Sequence, residues 1–277
     1  MRMEDLTRQL LRNDDGVYMA PGSAQKQVSY AADGHAGCFQ VEDNSFWFRH
    51  RNNCIASVVS NQPFSGPMLD VGGGNGYVAQ RLTRDGHEVV LLEPGTTGAR
   101  NARLLRGLEH VACATLQEAG FQPGSFGAIG MFDVIEHIDD DREFLSSVVP
   151  LLAPGGRLYL TVPCHQWLWS QADVHAGHFR RHTAGSLQTL LGGLFEIDYL
   201  SYFFRPLVAP QFLLRALPYR IGLTRKQRIL SAETEHGSGN GIAVRALSAL
   251  LEAEARTIAA GDTIGLGASC ILAAHRI

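Results

Sequence analysis

Between residues 67 and 200 the chain alternates short apolar runs with longer segments whose apolar residues recur at helical spacing. MLDV (68–71), HEVVLLEP (87–94), HVACAT (110–115), the stretch 126–132, RLYLTVP (157–163) and FEIDYLSYFF (195–204) predict six strands. Helices are predicted over 77–84, over 96–106, from the Asp139–Asp141 acidic triplet to Val149, and from Thr183 to about Leu191. Acidic residues suit the exposed amides of a helix start. Pro154, Gly155 and Gly156 predict a turn, and a seventh strand is expected over 266–275. Buried runs separated by helices specify a mostly parallel sheet with helices on both faces.

The flanks read differently. Residues 1–12 predict a short helix, 13–45 turns and loop punctuated by Gly16, Pro21, Gly22, Gly34 and Gly37, and 46–59 a second helix. Phe46, Trp47 and Phe48 are too apolar to face water together and are expected to pack on the main domain. Before the last strand lies an insertion, 205–262, with the amphipathic run RPLVAPQFLLRALPYRIGL and a helix from Ile242 to Ala259. The expected organisation is an N-terminal cap or lid (1–60), a core (61–204), a substrate-cover insertion (205–262) and a closing core strand (263–277). An oligomer interface and a lipid-facing surface are the other readings of the insertion.

The sharpest chemical signal is LDVGGGNGYVAQRL, in which Asp70 ends a strand and Gly72, Gly74 and Gly76 form GxGxG before a helix. Glycines let the backbone turn tightly and let a ligand approach main-chain amides. Glu93, at the end of the next strand, is a carboxylate placed to accept hydrogen bonds from ribose hydroxyls, or else a solvated strand end. This pair points to an adenosine-type ligand and leaves nicotinamide, flavin and adenosylmethionine open.

LDVGGGNG (69–76), VVLLEP (89–94), FDVIEHI (132–138) and LLAPGGRLYLTVP (151–163) together resemble the class I S-adenosylmethionine-dependent methyltransferase family, small-molecule branch. The closing GASCILAAHRI resembles that family's last strand more loosely. The resemblance implies an α/β, Rossmann-like, seven-stranded sheet and S-adenosyl-L-methionine as cofactor. It implies that Asp70 organises the glycine loop, that Gly72, Gly74 and Gly76 lie against the methionine moiety, and that Glu93 holds the ribose. Thr115 and Leu116 would flank the adenine, although ATLQ lacks the Asp many relatives carry there. Asp133 is counted with the cofactor site.

Asp133, Glu136 and His137 follow the fourth strand, at the sheet edge where ligands bind in this architecture. His137 titrates near neutrality and could take a proton from an acceptor, or simply pack beside the cofactor. VPCHQWLWSQADVHAGHFRRHT (162–183) adds the catalytic candidates His165, His175 and His178. Trp167 and Trp169 could stack an aromatic acceptor or close a lid, and Arg180 and Arg181 could clamp an anionic group. No metal is expected, because Asp173, His175 and His178 match no strong ligand spacing.

Composition narrows the function. The net charge is -3, from 24 basic and 27 acidic residues, which argues against a nucleic-acid partner. Only 18% of residues are charged, so a homodimer covering apolar surface is plausible on this reading. Five widely spaced cysteines without CxxC argue against a disulfide framework, and no run of ~20 apolar residues predicts a membrane span. The expected compartment is the cytoplasm. The expected function is methylation of a small molecule, with O-methylation of a hydroxyl or carboxylate preferred and N-methylation the alternative. A nicotinamide-dependent oxidoreductase is disfavoured by FDVIEHI and the lack of a YxxxK pair. A cofactor-binding protein without catalysis is the remaining class.

Overall fold

The computed structural model describes residues 2–21, 39, 42–223 and 242–277. Its strands are β1 (Leu11–Arg12), β2 (Tyr18–Met19), β3 (Met68–Val71), β4 (Val89–Leu92), β5 (Val111–Cys113), β6 (Phe126–Phe132), β7 (Leu152–Pro163), β8 (Phe195–Phe203) and β9 (Ser269–Arg276). Every residue of β3, β4, β5 and β6 is buried. Successive side chains point to opposite faces. Leu69, Val71, Val90 and Leu92 therefore join one apolar cluster, and Met68, Val89 and Leu91 join another. Helices covering both faces explain why these strands show no polar alternation.

The described strands form one sheet in the order β1-β2-β5-β4-β3-β6-β7-β9-β8. Pairs from β2 across to β7 are parallel, while β9 runs antiparallel to both β7 and β8. The sheet thus has nine strands rather than the expected seven. The two additions are β1 and β2, two residues each, which extend the β5 edge. The order reverses at β3, whose neighbours are β4 on one side and β6 on the other. A doubly wound sheet opens a crevice beyond the carboxyl ends of its strands at such a switch point.

The helices are α1 (Phe46–Asn61), α2 (Tyr77–Arg84), α3 (Thr96–Arg100), α4 (Leu116–Ala119), α5 (Asp141–Val148), α6 (Gln171–Ala176), α7 (Ala184–Leu191), α8 (Val208–Gln211), α9 (Leu217–Arg220) and α10 (Ile242–Ala259). None is long and apolar enough to cross a membrane. The Ser45 side chain caps α1 by accepting from the Trp47 amide. This helix buries Cys54, Ile55, Val58 and Val59. Asn61 donates to the Ile258 and Ala259 carbonyls, tying the end of α1 to α10. His50 Nε2 lies 2.8 Å from Glu254 Oε1, a buried link between the same two helices. Phe46 and Trp47 pack against the core as expected, with Trp47 stacked on Phe204 at 5.3 Å.

Several boundaries differ from the sequence expectation. The helix expected over 1–12 is a 3-10 turn at Met3–Asp5 followed by β1, because Leu11 pairs with Met19. The helix over 96–106 stops at Arg100 and continues as a π turn, Asn101–Leu105. The turn at Pro154–Gly156 is an irregularity inside β7, where the pairing jumps from Phe126 with Leu152 to Ala128 with Arg157. The amphipathic run from 205 is helical without a break from Arg205 to Arg220, as consecutive 3-10, α and π turns. Pro210 and Pro218 remove amide donors, and a π turn at Phe212–Ala216 absorbs the mismatch. Expected turns at Gly22, Gly34 and Gly37, and insertion residues 224–241, lie outside the described residues.

Candidate active site

The glycine loop leaves β3 and enters α2. Gly72, Gly74 and Gly76 have φ of 67°, 54° and 81°, all in the left-handed region. A Cβ at Gly76 would lie 2.6 Å from Leu108 Cδ1 as well, so both backbone and packing demand glycine there. Gly73, which the sequence reading passed over, has ordinary φ but equal need: a Cβ would sit 2.8 Å from Asp70 Oδ2 and from Leu91. The Gly72 and Gly73 amides donate to the Leu92 carbonyl and hold the loop against the end of β4.

Two carboxylates lie beneath this loop. Asp70 is 1% exposed, and its Oδ2 has no hydrogen-bond partner among the described residues. Burial pushes its pKa up to about 7, with the Arg51 charge opposing the shift. Glu93 follows β4 and is equally enclosed. Its Oε2 accepts from the Gly74 amide at 3.0 Å and its Oε1 from the Gly95 amide at 2.6 Å. Burial raises it to about 7 in spite of those two donors.

Thr115 and Leu116 follow β5, beside Glu93 at the same edge. The Thr115 hydroxyl is engaged in a capping box with Glu118 at the start of α4, and Leu116 packs on the core. Opposite stands the segment after β6. Asp133 adopts φ 58°, unusual for a residue with a side chain, and is held there by contacts. Its Oδ2 is 2.6 Å from Arg51 Nε, and its Oδ1 accepts from the Thr161 hydroxyl. Arg51 also donates to the Phe132 carbonyl at 2.6 Å, pinning α1 to the end of β6. Val134 meets the glycine loop, since a Cβ at Gly72 would be 3.0 Å from Val134 Cγ2. The two sides of the crevice are therefore in contact.

His137 ends the short 3-10 turn Ile135–His137. Burial and the neighbouring His178 lower its pKa to about 4. The His137 and His178 rings meet edge to face, with centroids 4.7 Å apart. His178 Nδ1 is 2.9 Å from Asp173 Oδ1. His165 also has a left-handed φ, 65°, and is stacked between Trp167 and Tyr202 at 5.3 and 5.1 Å. His175 is exposed on α6, apart from the His137–His178 pair. Trp167 is 38% exposed over His165, and Trp169 is half-buried.

Arg180 and Arg181 are engaged within the chain. Arg180 reaches Asp141 at 2.6 Å and the Asp139 carbonyl, and Arg181 holds Asp173 through two nitrogens. Against the effect of burial, the hydrogen bonds with His178 and Arg181 lower Asp173 to about 2. Sequence reasoning missed Arg51. Arg51 lies far from the motifs in sequence and carries no local signal. Glu136 was placed by sequence at the ligand-binding edge, and the structure adds that it is 1% exposed with no hydrogen-bond donor among the described residues.

Comparison with known proteins agrees with this geometry. The ubiquinone biosynthesis O-methyltransferase of Pectobacterium carotovorum subsp. carotovorum (strain PC1) is 29% identical over 119 residues, 41% of this chain and 50% of that one. The chain spans about half the length of the curated relatives it matches. Phosphoethanolamine N-methyltransferase 2 of Haemonchus contortus, solved with S-adenosyl-L-methionine, superposes with a TM-score of 0.54 at 18% identity, over 90% of this chain and 58% of that one. A possible histamine N-methyltransferase from Thermotoga maritima gives 0.54 at 16% identity, over 88% and 96%. These two likenesses establish a shared fold. The family described as "Methyltransferase domain" matches residues 47–193, from α1 through β3–β7 to the end of α7. With more than half of the chain matched, this protein belongs to the methyltransferase-domain family.

Proposed function

We propose that the chain transfers a methyl group from S-adenosyl-L-methionine to a small molecule, with oxygen as the acceptor atom. The observation that carries the cofactor reading is the pairing of a left-handed glycine loop with two buried carboxylates, Asp70 and Glu93, at the switch point of the sheet. The residues fit the group. Glu93 is held by the Gly74 and Gly95 amides in a fixed orientation just beyond β4, where a carboxylate suits vicinal ribose hydroxyls. Asp70, with an oxygen that has no hydrogen-bond partner among the described residues, suits a ligand carrying positive charge. The narrow contact between Gly72 and Val134 leaves no room for a side chain on the loop.

When bound, S-adenosyl-L-methionine supplies an electrophilic methyl group on a sulfonium. The chain's own contribution is to fix the two reactants in line, where proximity and orientation can remove a large part of the barrier. His137 and His178 are the acceptor-side candidates, on the β6 flank of the crevice. Trp167 and Trp169 are assigned to the wall of the acceptor pocket, and residues 1–60 and 205–262 to its cover. Arg180 and Arg181 act as struts for this wall, since both are already paired. Preference for oxygen rests on the O-methyltransferases among the curated relatives.

The test is transfer of labelled methyl from S-adenosyl-L-methionine to a panel of catechols, phenols and carboxylic acids, set beside matched amines. Label in the oxygen set supports the proposal. Label confined to the amines moves the acceptor to nitrogen, and no transfer to any small molecule together with tight cofactor binding supports a binding protein without catalysis.

A further inference from the structure

The glycine loop has a single handle. In GGGNG, residues 72–76, only Asn75 carries a side chain. A run of glycines can adopt many backbone conformations, so contacts from outside the loop have to select the one in which the Gly74 amide meets Glu93. Asn75 is buried, and both ends of its side-chain amide are held. Its Nδ2 donates to Glu42 Oε1 at 3.0 Å, and its Oδ1 accepts from Asn101 Nδ2 at 3.0 Å.

Glu42 is itself committed. Its Oε2 accepts from Arg106 at 2.8 Å, and both side chains are buried. Arg106 also reaches Asp43 at 2.7 Å. Its guanidinium packs on two rings, 4.7 Å from the centroid of Phe39 and 5.0 Å from that of Tyr77, the first residue of α2. Gln80 Nε2, within α2, donates to the Arg106 carbonyl. Taking two charges out of water is costly, so a buried ion pair is weak evidence for stability; what this one fixes is the Asn75 amide. We propose that Asn75 is the positioning residue of the glycine loop, and that Glu42 and Arg106 hold it so that the Gly74 amide and Glu93 keep the geometry an adenosyl ligand needs.

The holding residues come from two parts of the chain. The methyltransferase-domain match begins at residue 47, whereas Phe39, Glu42 and Asp43 precede it. The N-terminal flank therefore reaches the cofactor loop itself, through Glu42. Asn101 opens the π turn Asn101–Leu105, and Ala102 and Leu108 stand where a Cβ on Gly76 would go. The loop is thus gripped by Glu42 from one element and by residues 101–108 from another. Coupling of this kind is reciprocal. A flank that favours the loop geometry selected by the ligand must itself be held more firmly when the ligand binds.

The effect on ligand affinity rests on the methyltransferase reading and the effect on the loop does not, so both are measured on the full chain. Asn75→Asp sets a like charge against Glu42. Adding Glu42→Gln to that chain exchanges donor and acceptor: the glutamine amide donates to the new carboxylate, and its oxygen still accepts from Arg106. Without ligand, amide hydrogen exchange over residues 72–76 should quicken roughly tenfold in Asn75→Ala and Asn75→Asp, as one or two hydrogen bonds are lost, and return toward the parent in the double variant. Calorimetric titration with S-adenosyl-L-methionine should follow the same order, about tenfold weaker in Asn75→Asp and recovered in the double variant. The same ligand should slow exchange at Glu42 and Asp43 in the parent. Glu42→Ala leaves Arg106 its pair with Asp43, so it should fold as the parent does while losing affinity by at least about threefold. Arg81→Ala, in an exposed pair on α2, should match the parent throughout. Loop exchange in Asn75→Ala equal to that of the parent overturns the positioning role, whether or not the ligand binds. So does a folded double variant that recovers nothing, and parent-like affinity in Glu42→Ala overturns the part given to the flank. A parent whose loop exchange follows the expected order but which binds no S-adenosyl-L-methionine supports Asn75 as the residue that holds the loop and overturns the adenosyl reading alone.

Discussion

Asp70 and Glu93 sit where two demands conflict: both are buried in the folded chain, and both are most useful to a cationic adenosyl ligand when ionised. Burial raises each from an ordinary carboxylate value, 3.8 and 4.5, to about 7. A raised folded-state pKa contributes stability below the unfolded value and loses it as pH climbs through the folded value. The protein without ligand should therefore lose stability between about pH 4 and pH 7 through these two groups, while cofactor affinity rises as pH passes 7. Calorimetry from pH 6 to pH 8 checks the affinity, and a flat profile contradicts the assignment. Asp70→Asn should raise the thermal midpoint at pH 8 while weakening cofactor binding, a trade between stability and function. Gly76→Ala should cost about 2–4 kcal/mol, from the left-handed φ and the clash with Leu108. Chemical denaturation measures it. These loop residues were legible in the sequence because a glycine spacing and a carboxylate at a strand end are local signals. Gly73 and Arg51 were not, since their roles depend on Leu91, Asp70 and Asp133 arriving from elsewhere in the chain.

At the scale of elements, α1 is the piece that ties the flanks to the core. Arg51 braces the end of β6, while His50 meets Glu254 of α10. Arg51→Ala breaks a largely buried pair and leaves Asp133 at its unusual φ without its cation. The expected cost is about 3 kcal/mol. The thermal midpoint measures it, and a loss below ~1 kcal/mol would show that the brace is a solvent-screened contact. Strands β3–β7 could be read from sequence because each is a continuous apolar run between turn residues. β1 and β2 could not, because two residues show no period and their pairing is set by the β5 edge. The apolar run after 205 is continuously helical but of mixed turn type, and Pro210 and Pro218, which lack amide donors, fall within it.

The described residues place a glycine loop, two carboxylates and a histidine pair near one switch point of a nine-stranded sheet. Ligand that binds the folded chain alone stabilises it by mass action. At a hundredfold excess over Kd the gain is about 2.7 kcal/mol, so saturating S-adenosyl-L-methionine should raise the thermal midpoint by roughly 5–10 °C. The parallel character of the sheet was legible from strand–helix alternation, whereas the order of its strands, including the reversal at β3, came only with the structure. The most direct measurement is a calorimetric titration of the parent and Glu93→Ala with S-adenosyl-L-methionine and, separately, with NADH. The account expects micromolar binding of S-adenosyl-L-methionine, weakened at least ~30-fold in Glu93→Ala through loss of charged hydrogen bonds worth about 2–3 kcal/mol, and no binding of NADH. Binding of NADH without S-adenosyl-L-methionine would contradict it and make the glycine loop a dinucleotide site.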